Sequence, residues 1–159
     1  MDMVNVKING RAYEVPKNST VLEAAKYAGV DIPTLCYLKD INEIGACRIC
    51  LVEVVGARGL VTSCVYPVNE GMEILTNTPK VLAARKTNLE LVLSNHEKKC
   101  LSCPRSTSCE LQKLANEYGC EEGHFHGESI SYAKDESTSW LVRDNNKCIL
   151  CRRCVATCA

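Results

Sequence analysis

Residues 45–50 read Gly-Ala-Cys-Arg-Ile-Cys and place two cysteines three positions apart, behind two small residues. Small residues let the backbone approach whatever the cysteines bind, so that amide N–H groups can point at sulfur atoms. Two more cysteines lie outside this stretch and complete the spacing C-x10-C-x2-C-x13-C. The four members are Cys36, Cys47, Cys50 and Cys64. This first set predicts a metal site with four thiolate ligands.

A small α+β module is predicted around the first set, over residues 1–78. The pair Asn9-Gly10, between two runs of alternating apolar residues, predicts a two-residue hairpin turn. Thr20 followed by Glu23 is a capping-box pattern, which predicts the start of a helix. Three strand-like runs follow, at residues 51–55, 60–63 and 73–76. A hairpin, a helix and further strands favour a sheet that wraps around one helix.

This module and its cysteines resemble a [2Fe-2S] ferredoxin of the β-grasp type. The gap of ten residues before Cys47 is longer than the first gap of the plant-type pattern, C-x4-C-x2-C. A four-cysteine zinc site is the main alternative, because zinc also accepts a C-x2-C pair with two distant cysteines. The spacing favours iron–sulfur and leaves the zinc site open as an alternative.

The composition of the whole chain also indicates metal binding. Twelve of the 159 residues are cysteine, whereas the aromatic residues comprise one Trp, six Tyr and one Phe, too few to anchor a large conventional core. Nineteen basic and nineteen acidic side chains give no formal net charge, so nothing indicates nucleic acid or an anionic membrane surface as a partner. There is no secretory signal and no apolar run of roughly 18 residues that could span a membrane. We therefore expect a cytoplasmic protein whose reduced thiols bind metal.

A second set of candidate ligands lies between two predicted helices. The first helix is expected over residues 79–95, with Leu82 and Leu89 on its apolar face, and the next over residues 110–118. The set has the spacing H-x3-C-x2-C-x5-C and comprises His96, Cys100, Cys103 and Cys109. A neutral imidazole in place of one thiolate removes a negative charge and should raise the potential of a cluster. Taken alone, this set fits a zinc site with one histidine and three cysteines equally well.

The third set, near the end of the sequence, is the most diagnostic. Residues 147–158 read KCILCRRCVATC, with the spacing C-x2-C-x2-C-x3-C. In bacterial ferredoxins the first three cysteines of such a run hold one [4Fe-4S] cluster and the fourth ligates a second cluster. The members are Cys148, Cys151, Cys154 and Cys158. Zinc sites rarely need three cysteines at strict two-residue gaps, so iron–sulfur is strongly favoured here.

The residues left outside the three sets carry weaker signals. Cys120 is the one cysteine that no set uses, and we expect it to be a partly buried small residue or a free thiol. Residues 120–143 are polar and weakly patterned, which predicts a linker. Within that linker His124 and His126 are more typical of surface residues than of ligands, because no cysteine lies next to them.

Taken in order, the three sets resemble the N-terminal electron-transfer region of [FeFe] hydrogenases, especially the NAD(P)-linked, multi-subunit kind. They are also similar to the N-termini of the NADH dehydrogenase large subunit and of NAD-linked formate dehydrogenases. The resemblance implies a [2Fe-2S] cluster on the first set, a histidine-ligated [4Fe-4S] cluster on the second, and an incomplete two-[4Fe-4S] ferredoxin domain on the third. The segment CELQKLANEYG, residues 109–119, and the presence of Cys158 fit the hydrogenase and formate dehydrogenase types.

The resemblance also gives a domain organisation for this α+β chain. Cys148, Cys151 and Cys154 are expected to hold one [4Fe-4S] cluster, and Cys158 to belong to a second cluster whose other ligands are absent from the sequence. Because the hydrogen-activating domain of the family is also absent, we expect the sequence to be a fragment. The expected regions are a [2Fe-2S] ferredoxin-like β-grasp domain over 1–78, a helical His-Cys [4Fe-4S] domain over 79–119, a linker over 120–143, and the first half of a ferredoxin-type domain over 144–159.

The expected function is one-electron transfer. No phosphate-cradling glycine loop and no catalytic constellation is evident in the sequence, so no catalytic residue is predicted. The resemblance implies that electrons enter from a flavin- or NAD(P)H-handling partner subunit and pass along the clusters to a catalytic domain, with ferredoxin as a further candidate partner. A zinc-stapled interaction module and an iron–sulfur redox sensor are the alternatives, although no DNA-binding element is evident in the sequence.

Overall fold

The computed structural model describes residues 2–120, 125, 127–128 and 130–159. These residues form two compact units. Unit 1 comprises the chain up to Arg85 together with Arg152–Ala159, and unit 2 comprises Lys86–Cys151. The domain boundaries expected from the sequence are based on motifs, whereas the two units are defined by contacts within the structure. The expected boundaries stay a prediction.

Unit 1 is built on a five-stranded mixed sheet. The strands are β1 (Met3–Ile8), β2 (Arg11–Pro16), β3 (Leu51–Val54), β4 (Leu60–Thr62) and β5 (Glu73–Leu75). Their spatial order is β2-β1-β5-β3-β4, in which β1 runs parallel to β5 and the other neighbouring pairs are antiparallel. Each strand lies where the sequence predicts one.

The β1–β2 hairpin turns at the predicted pair of residues. Asn9 and Gly10 have positive φ angles of 50° and 81°, as a two-residue type I′ turn requires. This turn pairs Ile8 with Arg11 and matches the right-handed twist of the two strands. The alternating residues of β1 that face the core are Val4, Val6 and Ile8.

Helix α1, Val21–Tyr27, begins at the predicted capping box. The Thr20 hydroxyl oxygen accepts a hydrogen bond from the Glu23 amide at 3.3 Å, and the Glu23 carboxylate accepts one from the Thr20 amide at 3.0 Å. Both backbone donors at the helix start are thereby satisfied. The buried residues of the helix are Val21, Leu22, Ala24 and Ala25.

The apolar core of unit 1 extends directly to the first cysteine set. Cys50 and Cys64 are each 1% exposed and belong to the same buried cluster as Val52 and Ile74. Cys50 immediately precedes β3, so the sheet itself fixes the position of its thiol. The mixed sheet and its helix thus provide a rigid base for candidate metal ligands.

Helix α2, Pro79–Ser94, begins in unit 1 and ends in unit 2. Proline is its first residue, as predicted, where its missing N–H and fixed φ are best tolerated. The buried side of the helix differs from the predicted apolar face, because Val81, Arg85 and Leu89 are buried while Leu82 is 41% exposed. The buried residues are four positions apart and share one side of the helix, whereas Leu82 is turned by about 100° from Val81.

Unit 2 contains helix α3, Glu110–Glu117, close to its predicted bounds. The helix buries Leu111 and Leu114, and the chain leaves it through Gly119, whose φ is 56°. Two single-turn 3-10 helices complete the regular structure described for this unit. They cover Cys100–Ser102 and Asn145–Lys147.

The described residues between Cys120 and Asn145 have little regular structure. Backbone hydrogen bonds of 2.8 and 2.9 Å between Asp135 and Arg143 form an isolated β-bridge. The side chain of Asn146 accepts from the Tyr132 amide at 2.9 Å and donates to the Tyr132 carbonyl at 2.8 Å. Across the described part of the chain, no helix is both long and apolar enough to cross a membrane.

Candidate metal centres

The first cysteine set lies where a long loop meets the sheet of unit 1. Cys36 and Cys47 lie in the segment between α1 and β3, Cys50 precedes β3, and Cys64 follows β4. Cys36, Cys50 and Cys64 are each 1% exposed, and Cys47 is half-buried. The loop and the strand ends therefore present four thiols with little access to water.

These four thiols are grouped as two hydrogen-bonded pairs. The hydrogen bond from Cys36 lowers the pKa of the Cys47 thiol to about 5, although burial acts in the opposite direction. The hydrogen bond from Cys64 likewise lowers the pKa of Cys50 to about 7. The same hydrogen bonds raise the pKa values of Cys36 and Cys64. The charges of the other three cysteines raise the pKa of Cys64 further. The structure thus brings the predicted set together as two neighbouring pairs.

Backbone amides point at the sulfur atoms of the first pair. The Cys36 amide nitrogen lies 3.4 Å from Cys47 Sγ, and the Cys47 amide nitrogen lies 3.5 Å from Cys36 Sγ. The amide of Ala46 also donates to Cys36, and that of Ile49 to Cys47. Hydrogen bonds of this kind favour negative charge on sulfur and help to set cluster potentials. The amide contacts expected for residues 45–50 are therefore present.

Left-handed backbone conformations shape the loop that carries these amides. Gly45 has a φ of 61°, and a Cβ atom there would lie only 3.2 Å from Thr62 Cγ2. Arg48, inside the C-x2-C pair, has a φ of 56°. Its guanidinium donates to Thr62 Oγ1 at 2.7 Å and so ties the loop to the end of β4. A left-handed residue beside right-handed ones turns successive N–H groups to one side, which creates a concave site for anions.

Two polar side chains in the loop are missed by the sequence analysis. Asn42 is 1% exposed, and its Nδ2 donates to the Cys36 carbonyl at 2.7 Å. Arg48 makes the contact with Thr62 described above. Neither residue belongs to a ligand motif, so their position between the cysteines is the one signal that could have indicated them.

The second set lies between α2 and α3 in unit 2. His96 follows α2, Cys100 begins a 3-10 turn, Cys103 follows that turn, and Cys109 is the residue before α3. The Cys103 amide donates to the Cys100 carbonyl at 3.2 Å, so one turn of backbone carries the C-x2-C pair. All four residues are half-buried.

His96 has the properties of a neutral imidazole that is available as a ligand. Its Nδ1 atom is buried and has no hydrogen-bond partner among the described residues. Burial, followed by the nearby Lys147 ammonium group, lowers the pKa of His96. Lys147 is held there by ion pairs with Glu97 at 3.8 Å and with Asp144 at 4.0 Å. The neutral form that these surroundings favour is the form that binds metal.

The third set is divided between the units. Cys148 and Cys151 belong to unit 2, where both are half-buried. Helix α4, Arg153–Thr157, belongs to unit 1 and carries Cys154, and Cys158 is the residue at its end. Both of these cysteines are exposed.

Left-handed residues recur in the third set. Leu150, between Cys148 and Cys151, has a φ of 54°, and Arg152, which directly follows Cys151, has a φ of 62°. Non-glycine residues rarely adopt this conformation. Like Arg48 in the first set, Leu150 and Arg152 each lie inside a C-x2-C gap.

The remaining candidates lie apart from these sets. Cys120 follows α3 and is half-buried, and burial, together with the charge of Glu90, raises the pKa of its thiol. This agrees with the expectation of a partly buried small residue. His124 and His126 lie outside the residues that the structure describes.

The grouping of the thiols in the first set matches a cluster of two irons. Four ligands shared by two irons give two thiolates per iron, and shared by four irons they give one ligand each. The two thiol pairs of the first set match the two-iron case, with two thiolates for each iron.

Comparison with known proteins agrees with this chemistry. Residues 1–79 match the family described as a 2Fe-2S iron-sulfur cluster binding domain, and residues 85–124 match the NADH-ubiquinone oxidoreductase-G iron-sulfur binding region. The chain is 45% identical over 163 residues to the NADP-reducing hydrogenase subunit HndD of Solidesulfovibrio fructosivorans. It is 42% identical over 154 residues to the NADH-ubiquinone oxidoreductase 75 kDa subunit of Reclinomonas americana. The chain belongs to the iron–sulfur families that the two matching family models describe.

A solved structure shares the fold of this iron–sulfur chain. It is titled "Crystal structure of NAD+-reducing [NiFe]-hydrogenase in the H2-reduced state" and contains a chain that matches with a TM-score of 0.88 and 32% identity. The match covers 96% of our chain and 64% of that chain. The resemblance to NAD(P)-linked hydrogenases and NADH dehydrogenases, and the expectation of [2Fe-2S] and [4Fe-4S] clusters, are therefore confirmed at the level of the family.

The relatives are much longer than this iron–sulfur chain. The alignment with HndD covers 99% of our chain but 28% of HndD. The alignment with the 75 kDa protein of Reclinomonas americana covers 96% of our chain and 22% of that protein. The similarity is thus to one region of each relative.

Proposed function

We propose that the chain is the electron-transfer region of a hydrogenase-type, NAD(P)-linked oxidoreductase. The observation that carries this proposal is the group of buried thiols in two pairs, with backbone amides directed at the sulfur atoms. An iron–sulfur cluster, when bound, accepts and releases one electron with little movement of its ligands. The residues of this chain would bind the clusters, exclude water and adjust the charge on the coordinating atoms.

In the first centre, Cys36 and Cys47 would bind one iron of a [2Fe-2S] cluster, and Cys50 and Cys64 would bind the other. The pairing of the thiols supports this assignment, and the lowered pKa values of Cys47 and Cys50 favour the thiolate form that iron requires. We further propose that residues 1–78 form a β-grasp domain. Support comes from the hairpin, the single packed helix and the parallel pairing of β1 with β5.

In the second centre, His96, Cys100, Cys103 and Cys109 would each bind one iron of a [4Fe-4S] cluster. The buried, unpartnered Nδ1 atom of His96 supports the inclusion of this histidine. The lowered pKa of His96 also favours a neutral ligand at neutral pH. The corresponding domain would cover residues 79–119.

In the third centre, Cys148, Cys151 and Cys154 would hold another [4Fe-4S] cluster, and Cys158 would ligate a second ferredoxin-type cluster. The cysteine spacing and the left-handed residues of the C-x2-C gaps support this assignment. Residues 144–159 would then form the first half of a ferredoxin-type domain, with 120–143 as the preceding linker.

We propose that the electron-transfer partners are a flavin- or NAD(P)H-handling subunit and a catalytic domain, with ferredoxin as a further candidate, in the cytoplasm. The relatives support a nicotinamide-linked partner, since one is named an NADP-reducing hydrogenase subunit and another an NADH-ubiquinone oxidoreductase subunit. The 45% identity to HndD favours the hydrogenase over a formate or NADH dehydrogenase as the parent enzyme. We assign that hydrogenase to the [FeFe] type on the sequence resemblance of the three cysteine sets.

The proposal is tested by metal analysis of protein purified without oxygen. We expect a brown protein whose visible absorption bleaches with dithionite, with about ten iron and about ten sulfide atoms per chain when the three centres are filled. EPR of the reduced protein should show both cluster types. A colourless protein that contains zinc and no acid-labile sulfide would overturn the proposal and would establish the zinc-stapled alternative.

A further inference from the structure

Ser63 lies directly opposite Cys50 in the sheet of unit 1. The register of β3 and β4 pairs Leu51 with Thr62, so the next pair outward is Cys50 with Ser63. The Ser63 amide donates to the Cys50 carbonyl at 3.2 Å, which confirms this pairing. Side chains of directly opposed residues in antiparallel strands are neighbours on the same face of the sheet. The Ser63 hydroxyl is therefore placed beside the Cys50 thiol.

The Ser63 hydroxyl is buried and lacks a hydrogen-bond partner within the described part of the chain. The residue is 0% exposed, and its Oγ atom meets no partner at hydrogen-bonding geometry among the described residues. The backbone of the residue is satisfied, because its carbonyl also accepts from the Leu22 amide at 3.0 Å. A buried, unpaired hydroxyl is destabilising, and alanine would fill the same space without that penalty. The hydroxyl therefore needs an acceptor to offset the cost of its burial.

The acceptor that the strand pairing offers to this hydroxyl is the sulfur of Cys50. The Ser63 hydroxyl lies close enough to interact with the Cys50 thiol, although it falls short of full hydrogen-bonding geometry, and the Cys64 thiol interacts with Cys50 as well. Metal binding requires that both cysteines lose their protons. Cys64 then has no proton to donate, whereas Ser63 keeps its O–H group beside the Cys50 thiolate.

We propose that Ser63 is a positioning residue for the first centre, whose hydroxyl donates a hydrogen bond to Cys50 Sγ in the cluster-loaded protein and raises the reduction potential of the [2Fe-2S] cluster. This inference rests on the proposed function. A hydrogen bond to a thiolate ligand stabilises negative charge, and the reduced cluster carries one more negative charge than the oxidised cluster. Loss of the hydroxyl should therefore make reduction harder.

The test is a redox titration of the [2Fe-2S] EPR signal in wild type, Ser63→Ala and Ser63→Gly, each loaded without oxygen. We expect the midpoint potential of both variants to be more negative than that of wild type, with unchanged [2Fe-2S] content per chain. Two hydroxyl-free variants are used because either one alone could pack poorly. Ser19→Ala is the matched control, since it removes a hydroxyl that donates to the Pro16 carbonyl at 2.6 Å in the same unit. This control should keep the wild-type potential.

A loaded Ser63→Ala or Ser63→Gly protein with the wild-type midpoint would overturn the inference, as would an equal shift in Ser19→Ala. If neither Ser63 variant binds a cluster, the inference is tested on the wild-type protein. The measurement is the Fe–S stretching frequencies in its resonance Raman spectrum. A spectrum that is identical in H2O and D2O excludes any exchangeable hydrogen bond to Cys50 and overturns the inference. Failure of the proposed function is a different result: the wild-type protein would then show no [2Fe-2S] signal at all.

Discussion

At the scale of single residues, the candidate centres are shaped by groups that favour deprotonated ligands. Hydrogen bonds from Cys36 and Cys64 lower the pKa values of Cys47 and Cys50, and burial lowers the pKa of His96. A metal must displace the protons that its ligands carry, so a group that is already deprotonated binds it more readily. The ligand sets are thus partly prepared for loading by their surroundings.

As a proposed neutral ligand, His96 would lower the negative charge around the second centre. We expect His96→Cys to retain a four-iron cluster with a lower reduction potential, because a thiolate adds a negative charge where the imidazole had none. An EPR-monitored redox titration measures the shift. Cys120→Ser, which changes a cysteine outside the three sets, should leave every midpoint potential unchanged. An unaltered potential in a loaded His96→Cys protein would remove His96 from the ligand set.

Gly45 determines how closely the first cysteine loop can approach β4. We expect Gly45→Ala to destabilise the loaded protein by more than the roughly 1–2 kcal/mol of a left-handed alanine, because the new Cβ would also lie 3.2 Å from Thr62 Cγ2. Gly29→Ala is the matched control, since Gly29 also has positive φ, 74°, but a Cβ there meets nothing within 4 Å. Urea unfolding followed by circular dichroism compares the two. Equal losses of stability would show that the contact with Thr62 contributes nothing.

At the scale of elements, the features that the sequence predicts are those whose causes lie within a few residues. The hairpin turn depends on the left-handed conformation of Asn9 and Gly10, and the start of α1 depends on two hydrogen bonds between Thr20 and Glu23. Both interactions are local, so neighbouring residue types are enough to indicate them. The five strands and α3 follow from similar local patterns.

The features that the sequence does not predict depend on register and packing. Nothing in the sequence pairs Ser63 with Cys50 or Arg48 with Thr62, because these contacts arise only when β4 aligns with β3. The buried face of α2 was misassigned for a similar reason, since a buried arginine, Arg85, takes a core position by donating to the Leu51 carbonyl at 2.7 Å. Cysteine spacing indicates candidate ligands, but it does not determine which thiols form a pair.

The capping box of α1 contributes measurably to the stability of unit 1. We expect Thr20→Ala to lower the free energy of unfolding by about 1 kcal/mol, because it leaves a backbone donor at the helix start without its acceptor. Thr20→Ser keeps the hydroxyl oxygen and should stay close to wild type. The measurement is the urea midpoint of the loaded protein. A loss of stability in Thr20→Ser equal to that in Thr20→Ala would assign the effect to the methyl group instead of the cap.

At the scale of the whole molecule, the first two candidate centres belong to different units. All four residues of the first set belong to unit 1, and all four of the second set belong to unit 2. Each set is therefore held by its own compact body, with its own hydrogen bonds and its own burial. A relay of electrons requires several centres that keep distinct potentials, and separate surroundings provide them.

This separation predicts that the first two centres load independently. Cys50→Ala should remove the [2Fe-2S] EPR signal and about two irons per chain, whereas Cys103→Ala should remove about four irons and leave that signal intact. Iron analysis and EPR at two temperatures distinguish the losses, and Cys120→Ala should retain the full wild-type content. If Cys103→Ala also emptied the first centre, the two sets would load as one cooperative site. Independent loading of the first two centres would then be wrong, because the loss of a ligand in unit 2 would have emptied the thiols of unit 1.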